Sequence, residues 1–131
     1  MKTTYLAGPI NACTDHVANS WRNQVTSRLA RNGTCKVRNP MDRDYRGKEA
    51  QSAAEIVVLD KRDIDASDIL LVRWLKPSVG TSMEILYAWE RGIPVILWLE
   101  SDSDVSPWLL YHATTVVLGF TEAMEAIERM V

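Results

Sequence analysis

The sequence predicts an α/β protein, a single domain over residues 1–131 in which helices cover both faces of a five-stranded parallel sheet. Two observations indicate this class. Short segments of β-branched or bulky apolar residues alternate along the chain with segments of helical periodicity, and no internal repeat or low-complexity linker interrupts them. The 131 residues are also 47% apolar, which is enough to bury one core.

Five segments have the length and the apolar composition of buried strands. They are residues 3–7, 35–38, 68–74, 93–98 and 115–118. Because helical segments separate them, we expect parallel pairing through right-handed crossovers, which makes the sheet doubly wound. Five strands of this kind favour the flavodoxin-like order 2-1-3-4-5.

The first helix is predicted where Val17, Trp21, Val25 and Leu29 recur every four residues, and Gly33 is typical of its end. A short helix is expected between the fourth and fifth strands. The other helices are predicted over residues 54–63, 82–91 and 122–130.

Composition excludes several classes of function. A net charge of -2 with dispersed basic residues argues against polymeric nucleic acid as a partner. No apolar run approaches the roughly 20 residues that cross a bilayer, and the N-terminus lacks a signal-peptide pattern, so we expect a cytoplasmic protein without membrane contact. Cys13 and Cys35 have no CxxC spacing and only two histidines accompany them, so we predict no disulfide, metal or other cofactor.

The loop after the first strand is the first candidate for chemistry, because ligands of doubly wound sheets bind beyond the carboxyl ends of the strands. It contains Gly8, Pro9 and Ile10. Glycine lets backbone approach a ligand and proline fixes the turn, although an ordinary βα turn uses the same residues. Tyr5 lies in the strand just before, where tyrosine usually packs in the core.

The loop after the second strand, residues 39–47, is polar and includes Asp44. Its carboxylates and arginines can recognise the edge of a nucleobase. A solvated loop would have the same composition.

Ser78 and Gly80 follow the third strand and precede Glu84. Residues 81–84 match the T-x-x-E pattern of a capping box, in which the glutamate only accepts from a backbone amide. The same placement puts a carboxylate at the positive end of a helix near the ligand edge, where the dipole favours its ionised, nucleophilic form. Both interpretations are open.

Asp60 falls in the last turns of the second predicted helix. It is either a solvated surface charge or a partner of Glu84. Retaining glycosidases use two carboxyl groups about 5 Å apart, one attacking the anomeric carbon and one handling the proton.

In their order and spacing, these segments resemble the nucleoside 2-deoxyribosyltransferase family, which also contains deoxynucleoside 5'-monophosphate N-glycosidases. The resemblance spans nearly the whole chain. Its markers are residues 5–10, 39–47, 60–68 and 80–88.

The resemblance implies a role for each candidate. Glu84 would attack C1' to form a covalent deoxyribosyl-enzyme, Asp60 would assist protonation of the base, and Tyr5 would orient Glu84. The loop of residues 8–10 would pack against the base, with Asp44 on the base edge. It also implies a homodimer or larger homo-oligomer, in which a neighbouring subunit's loop near residues 106–112 completes the site.

Ser78 departs from the family, whose transferases usually have an aspartate there to hold the 5'-hydroxyl. A serine beside the amides of Val79 and Gly80 can donate to a 5'-phosphate, although serine is also ordinary turn chemistry. The expected substrate is therefore a 2'-deoxyribonucleoside or its 5'-monophosphate, with a free base or water as acceptor. The rival hypothesis is a non-catalytic nucleotide-binding or sensing module on the same fold.

Overall fold

The computed structural model describes residues 1–101 and 105–131, which form one α/β unit. Its sheet has five parallel strands in the order β2-β1-β3-β4-β5. The strands are β1 (Lys2–Ala7), β2 (Cys35–Arg38), β3 (Ile69–Trp74), β4 (Val95–Leu99) and β5 (Thr115–Val117). The predicted fold class and strand order are confirmed.

Helices connect the strands. They are α1 (Asp15–Asn32), α2 (Ala53–Asp65), α3 (Val79–Glu90), α4 (Pro107–Tyr111) and α5 (Phe120–Met130), and short 3-10 helices span Pro40–Asp42 and Ala50–Ser52. Gly33 ends α1 in the left-handed conformation at φ 64°, as its position in the sequence predicts. No helix in the described ranges combines the length and apolar character that crossing a bilayer requires.

The core lies in two layers, one on each face of the sheet. On one face, α1 and α5 pack against Leu6 of β1 and Leu71 of β3. On the other face, α2, α3 and α4 pack against Tyr5 and Leu70. Because side chains alternate along a strand, neighbouring residues of β1 belong to opposite layers. Tyr5 therefore faces the helices that contain Asp60 and Glu84.

Helix α3 begins earlier than the sequence predicts. Ser78 is its N-cap, and the side-chain oxygen of Ser78 accepts from the Thr81 amide at 3.3 Å. Glu84 is consequently the sixth residue of the helix rather than its third. The predicted T-x-x-E capping box is therefore wrong, because Ser78, three residues before Thr81, is the N-cap instead.

Candidate active site

The centre of the candidate site is a hydrogen bond between β1 and α3. Tyr5 is fully buried, and its hydroxyl donates to Oε2 of Glu84 at 2.5 Å. Burial, followed by the negative charge of Glu84, raises the pKa of Tyr5 well above its ordinary value. The tyrosine hydroxyl is thus a fixed donor that selects one oxygen of the glutamate.

Glu84 is half-buried in the second turn of α3. Burial raises the pKa of this carboxyl to about 8, and the negative charge of Asp60 contributes in the same direction. The hydrogen bond from Tyr5 and the positive charge of Arg22 lower it. Desolvation is thus the largest influence on this carboxyl, and it acts against the ionised form that the helix position favours.

Asp60 lies in α2, on the side of the molecule that Tyr5 faces. Its Oδ1 accepts from Nη2 of Arg43 at 3.3 Å, and the same nitrogen donates to Asp63 at 2.7 Å. Burial raises the pKa of Asp60, while the charge of Arg43 opposes the rise. Two carboxyl groups with raised pKa values, Glu84 and Asp60, thus interact electrostatically in one site.

The loop after β1 packs tightly against α1. A Cβ at Gly8 would lie 2.8 Å from Cζ2 of Trp21 and 3.2 Å from the backbone oxygen of Arg73. Glycine is therefore needed at this position, because the loop backbone lies too close to Trp21 and Arg73 to leave room for a side chain. Pro9 is buried and Ile10 half-buried, so the loop presents little mobile side chain.

Arg22 of α1 is fully buried beside this loop. Its Nη1 donates to the Ala18 carbonyl at 2.6 Å, and its Nη2 donates to the carbonyls of Gly8 at 3.0 Å and Leu6 at 3.5 Å. Burial lowers the pKa of Arg22 to about 10, against the charges of Glu84 and Tyr5, which raise it. The cation is therefore close enough to act on the carboxyl at the centre of the site.

Asp44 has a different environment. Its carboxylate accepts from Nε of Arg46 at 3.0 Å and from Nη2 at 2.7 Å, and the Arg46 hydrogen bonds lower the pKa of Asp44 to about 2. Arg46 also donates to Asp15 at 2.6 Å and to the backbone oxygen of Cys13 at 3.1 Å. Asp44 thus belongs to a surface network that ties the loop after β2 to the start of α1.

Ser78 and Gly80 lie at the start of α3. The Oγ of Ser78 accepts from the Thr81 hydroxyl at 2.9 Å as well as from the Thr81 amide. A Cβ at Gly80 would meet no atom within 4 Å, so the space next to this backbone is open. This helix start is capped by the protein and still accessible from outside.

A comparison with protein families matches residues 4–125 to the family described as nucleoside 2-deoxyribosyltransferase. The chain belongs to this family. The match includes every candidate residue from Tyr5 to Glu84. Among curated proteins, none matches the chain.

Solved structures share this fold. A 2-deoxyribosyltransferase from Bacillus psychrosaccharolyticus is 14% identical, with a TM-score of 0.72 over 92% of this chain and 88% of that one. A conserved protein from Enterococcus faecalis V583 is 20% identical, with a TM-score of 0.76 over 100% and 99%. A CMP N-glycosidase from Clostridium botulinum is 16% identical, with a TM-score of 0.66 over 97% and 99%.

The structure brings together some of the predicted residues and separates others. Tyr5 and Glu84 are in direct contact, and Asp60 interacts with both through its charge. The hydrogen bonds of Asp44 and Ser78 run to Arg46 and Thr81 rather than to this centre.

Arg22 is the residue that sequence reasoning missed. The signal was its spacing from Ala18, Val25 and Leu29, which places an arginine on the buried stripe of α1. Within residues 1–101 and 105–131, no group of three or more histidine, cysteine, aspartate or glutamate side chains is arranged to hold a metal ion.

Proposed function

We propose that this protein cleaves the N-glycosidic bond of a 2'-deoxyribonucleoside or its 5'-monophosphate through a covalent deoxyribosyl intermediate on Glu84. The observation that supports it most is the partly buried hydrogen bond from Tyr5 to Glu84 at 2.5 Å, beside a second carboxyl group on Asp60. Membership of the nucleoside 2-deoxyribosyltransferase family supports the class of reaction.

In the first step, a carboxylate oxygen of Glu84 attacks C1' while the bond from C1' to the base nitrogen breaks. Tyr5 donates to Oε2, so we assign the attack to Oε1. The bonding electrons pass to the base, which takes a proton from the carboxylic acid of Asp60. Burial raises the pKa of Asp60 while Arg43 opposes the rise, which suits a carboxyl group that gives up and regains a proton.

In the second step, the acceptor attacks C1' and Glu84 leaves as a carboxylate. Asp60 takes up the proton that the acceptor loses, which restores the starting state. A free base as acceptor makes the protein a transferase, and water makes it an N-glycosidase. No cofactor enters either route.

The substrate assignment rests on the loops. We propose that residues 8–10 contact the base, that Asp44 lies at the base edge together with Arg46, and that the start of α3 holds the 5' end of the sugar. The Oγ of Ser78 accepts hydrogen bonds from Thr81, so its own proton is available to a phosphate oxygen. The open space next to Gly80 leaves room for that group.

We also propose that the protein forms a homo-oligomer. Large apolar side chains are exposed along α3 and α4, including Met83 at 68%, Trp108 at 74% and Tyr111 at 68%. Residues of this kind are enriched in subunit interfaces. A neighbouring copy contributing its α4 region to the site would cover them.

The experiment is a chromatographic screen of deoxynucleosides and their 5'-monophosphates, with and without a second free base, for wild type and Glu84→Ala. We expect Glu84→Ala to lower base release by about 10³-fold or more while the ligand still binds, since the covalent route is lost. Glu90→Ala, an exposed glutamate of the same helix, is the matched control. Unchanged turnover in Glu84→Ala would refute Glu84 as the nucleophile, whereas a wild type that binds these ligands without releasing base would favour the non-catalytic binding module. Base exchange indicates transfer, free sugar indicates hydrolysis, and reaction of unphosphorylated nucleosides alone would refute the role of Ser78.

A further inference from the structure

Arg22 is a buried cation, and within residues 1–101 and 105–131 no carboxylate forms an ion pair with it. The guanidinium is fully buried, and its hydrogen bonds go to the backbone carbonyls of Ala18, Gly8 and Leu6. Its Cζ lies 4.6 Å from the centroid of the Trp21 ring, and its Nε is buried without a hydrogen-bond partner. A charge in such a place is costly, and an apolar side chain of similar size would usually serve stability better. The arginine therefore needs an explanation beyond packing.

Its position provides one. Nη2 binds the carbonyls on either side of the end of β1, and the same strand holds Tyr5. The charged or titratable groups that act on Glu84 come from three elements: Tyr5 from β1, Asp60 from α2 and Arg22 from α1. Arg22 is the one cation among these groups, and it opposes both burial and the negative charge of Asp60.

We propose that Arg22 is a positioning residue that fixes the loop of residues 8–10 through the Gly8 carbonyl and, across the end of β1, opposes protonation of the Glu84 carboxyl. The planar guanidinium can do both at once because its donors hold three backbone carbonyls while its charge stays fixed. This inference rests on the proposed function of Glu84 for its catalytic consequence, but the electrostatic part can be measured without substrate.

The test compares Arg22→Met, Arg22→Lys and wild type by NMR titration of the Glu84 carboxyl, in protein labelled with ¹³C-glutamate and assigned with Glu84→Gln. We expect Arg22→Met to raise the pKa of Glu84 by about one unit, because an opposite charge nearby has been removed. Arg22→Lys retains the charge and should leave the titration within about 0.3 units of wild type. Arg31→Met, an exposed arginine of the same helix, is the matched control and should not shift it.

Activity gives a second readout. The acid limb of the pH profile of kcat/KM should move to higher pH in Arg22→Met by the same amount as the pKa of Glu84. At pH values below the limb, this shift corresponds to about a tenfold loss of kcat/KM. Arg22→Lys should keep the limb and raise KM, since the compact ammonium lacks the planar fork with which Arg22 holds the Ala18, Leu6 and Gly8 carbonyls together.

Two results would overturn the inference. One is a folded Arg22→Met in which Glu84 titrates as in wild type, which would leave Arg22 a purely structural role. The other is an Arg22→Lys variant in which Glu84 shifts upward although the charge is present, and this second comparison decides the matter if Arg22→Met does not fold. A shifted titration in a protein that releases no base would support the action of Arg22 and refute the proposed function of Glu84 instead.

Discussion

Two groups of acidic side chains near the candidate site have opposite acid strengths. In the half-buried group, which comprises Glu84 and Asp60, desolvation raises both pKa values, that of Glu84 to about 8. In the exposed group, Arg46 hydrogen bonds hold the pKa of Asp44 at about 2. The same functional group therefore binds a proton more tightly in one region and less tightly in the other. Burial and the partner, rather than residue type, decide which groups can exchange protons near neutral pH.

The largest expected effect on this comparison is a loss of activity at Asp60, in the half-buried group. Asp60→Asn removes the proton that we assign to the leaving base, so base release should fall by about 10²-fold or more, equivalent to roughly 3 kcal/mol of transition-state free energy. Asp65→Asn, the same change at an exposed position of α2, should stay within about twofold of wild type, and initial rates of base release measure both. Near-normal turnover in Asp60→Asn would show that Asp60 does not protonate the base and is only a structural partner of Arg43.

A smaller effect concerns stability and Glu84. The pKa of this carboxyl is about 8 in the folded protein and near its ordinary 4.5 in the unfolded chain. The fold therefore favours the protonated form, and its contribution is complete below about pH 4.5 and is lost as the pH rises through 8. Glutamine cannot ionise, so Glu84→Gln should become more stable than wild type between pH 5 and pH 9, by on the order of 2 kcal/mol at the upper end.

Urea denaturation at pH 5, 7 and 9 measures this difference in the free energy of unfolding, with Glu90→Gln as the exposed control on α3. If the free energies of unfolding of wild type and Glu84→Gln change with pH in parallel over that range, Glu84 is solvated. Its environment would then not differ from that of Asp44 in the way described.

The smallest effect has the opposite sign and concerns Asp44. Its pKa is lowered from 3.8 to about 2, so its contribution is present above about pH 4 and is lost as the pH falls through 2. Asp44→Asn should lower the free energy of unfolding at pH 7 by less than about 1 kcal/mol, because the pair with Arg46 is exposed to solvent. The difference from wild type should shrink between pH 4 and pH 2 in thermal unfolding experiments. A gain in stability at pH 7 would show that Arg46 does not hold the carboxylate.

The fold was predictable from the sequence, and so were Tyr5 and Glu84, which the structure brings into contact. Helical and strand periodicities are local properties, so they predicted five strands, their order and the helices between them. The motifs around Tyr5, Asp60 and Glu84 indicated the family that the match over residues 4–125 establishes. Even the end of α1 at Gly33 was predictable, because a left-handed helix end favours glycine.

Only the tertiary structure decided how the site behaves. Ser78 rather than Thr81 caps α3, which moves Glu84 from the capping position to the second turn. The depth of Glu84 in the protein and the groups that surround it come from β1, α1 and α2, and Tyr5 is 79 residues away in the chain. Desolvation and charge depend on such distant neighbours, so no local pattern could show that Glu84 is a weak acid. For the same reason, the sequence did not indicate the role of Arg22, which depends on the end of β1 that its helix packs against.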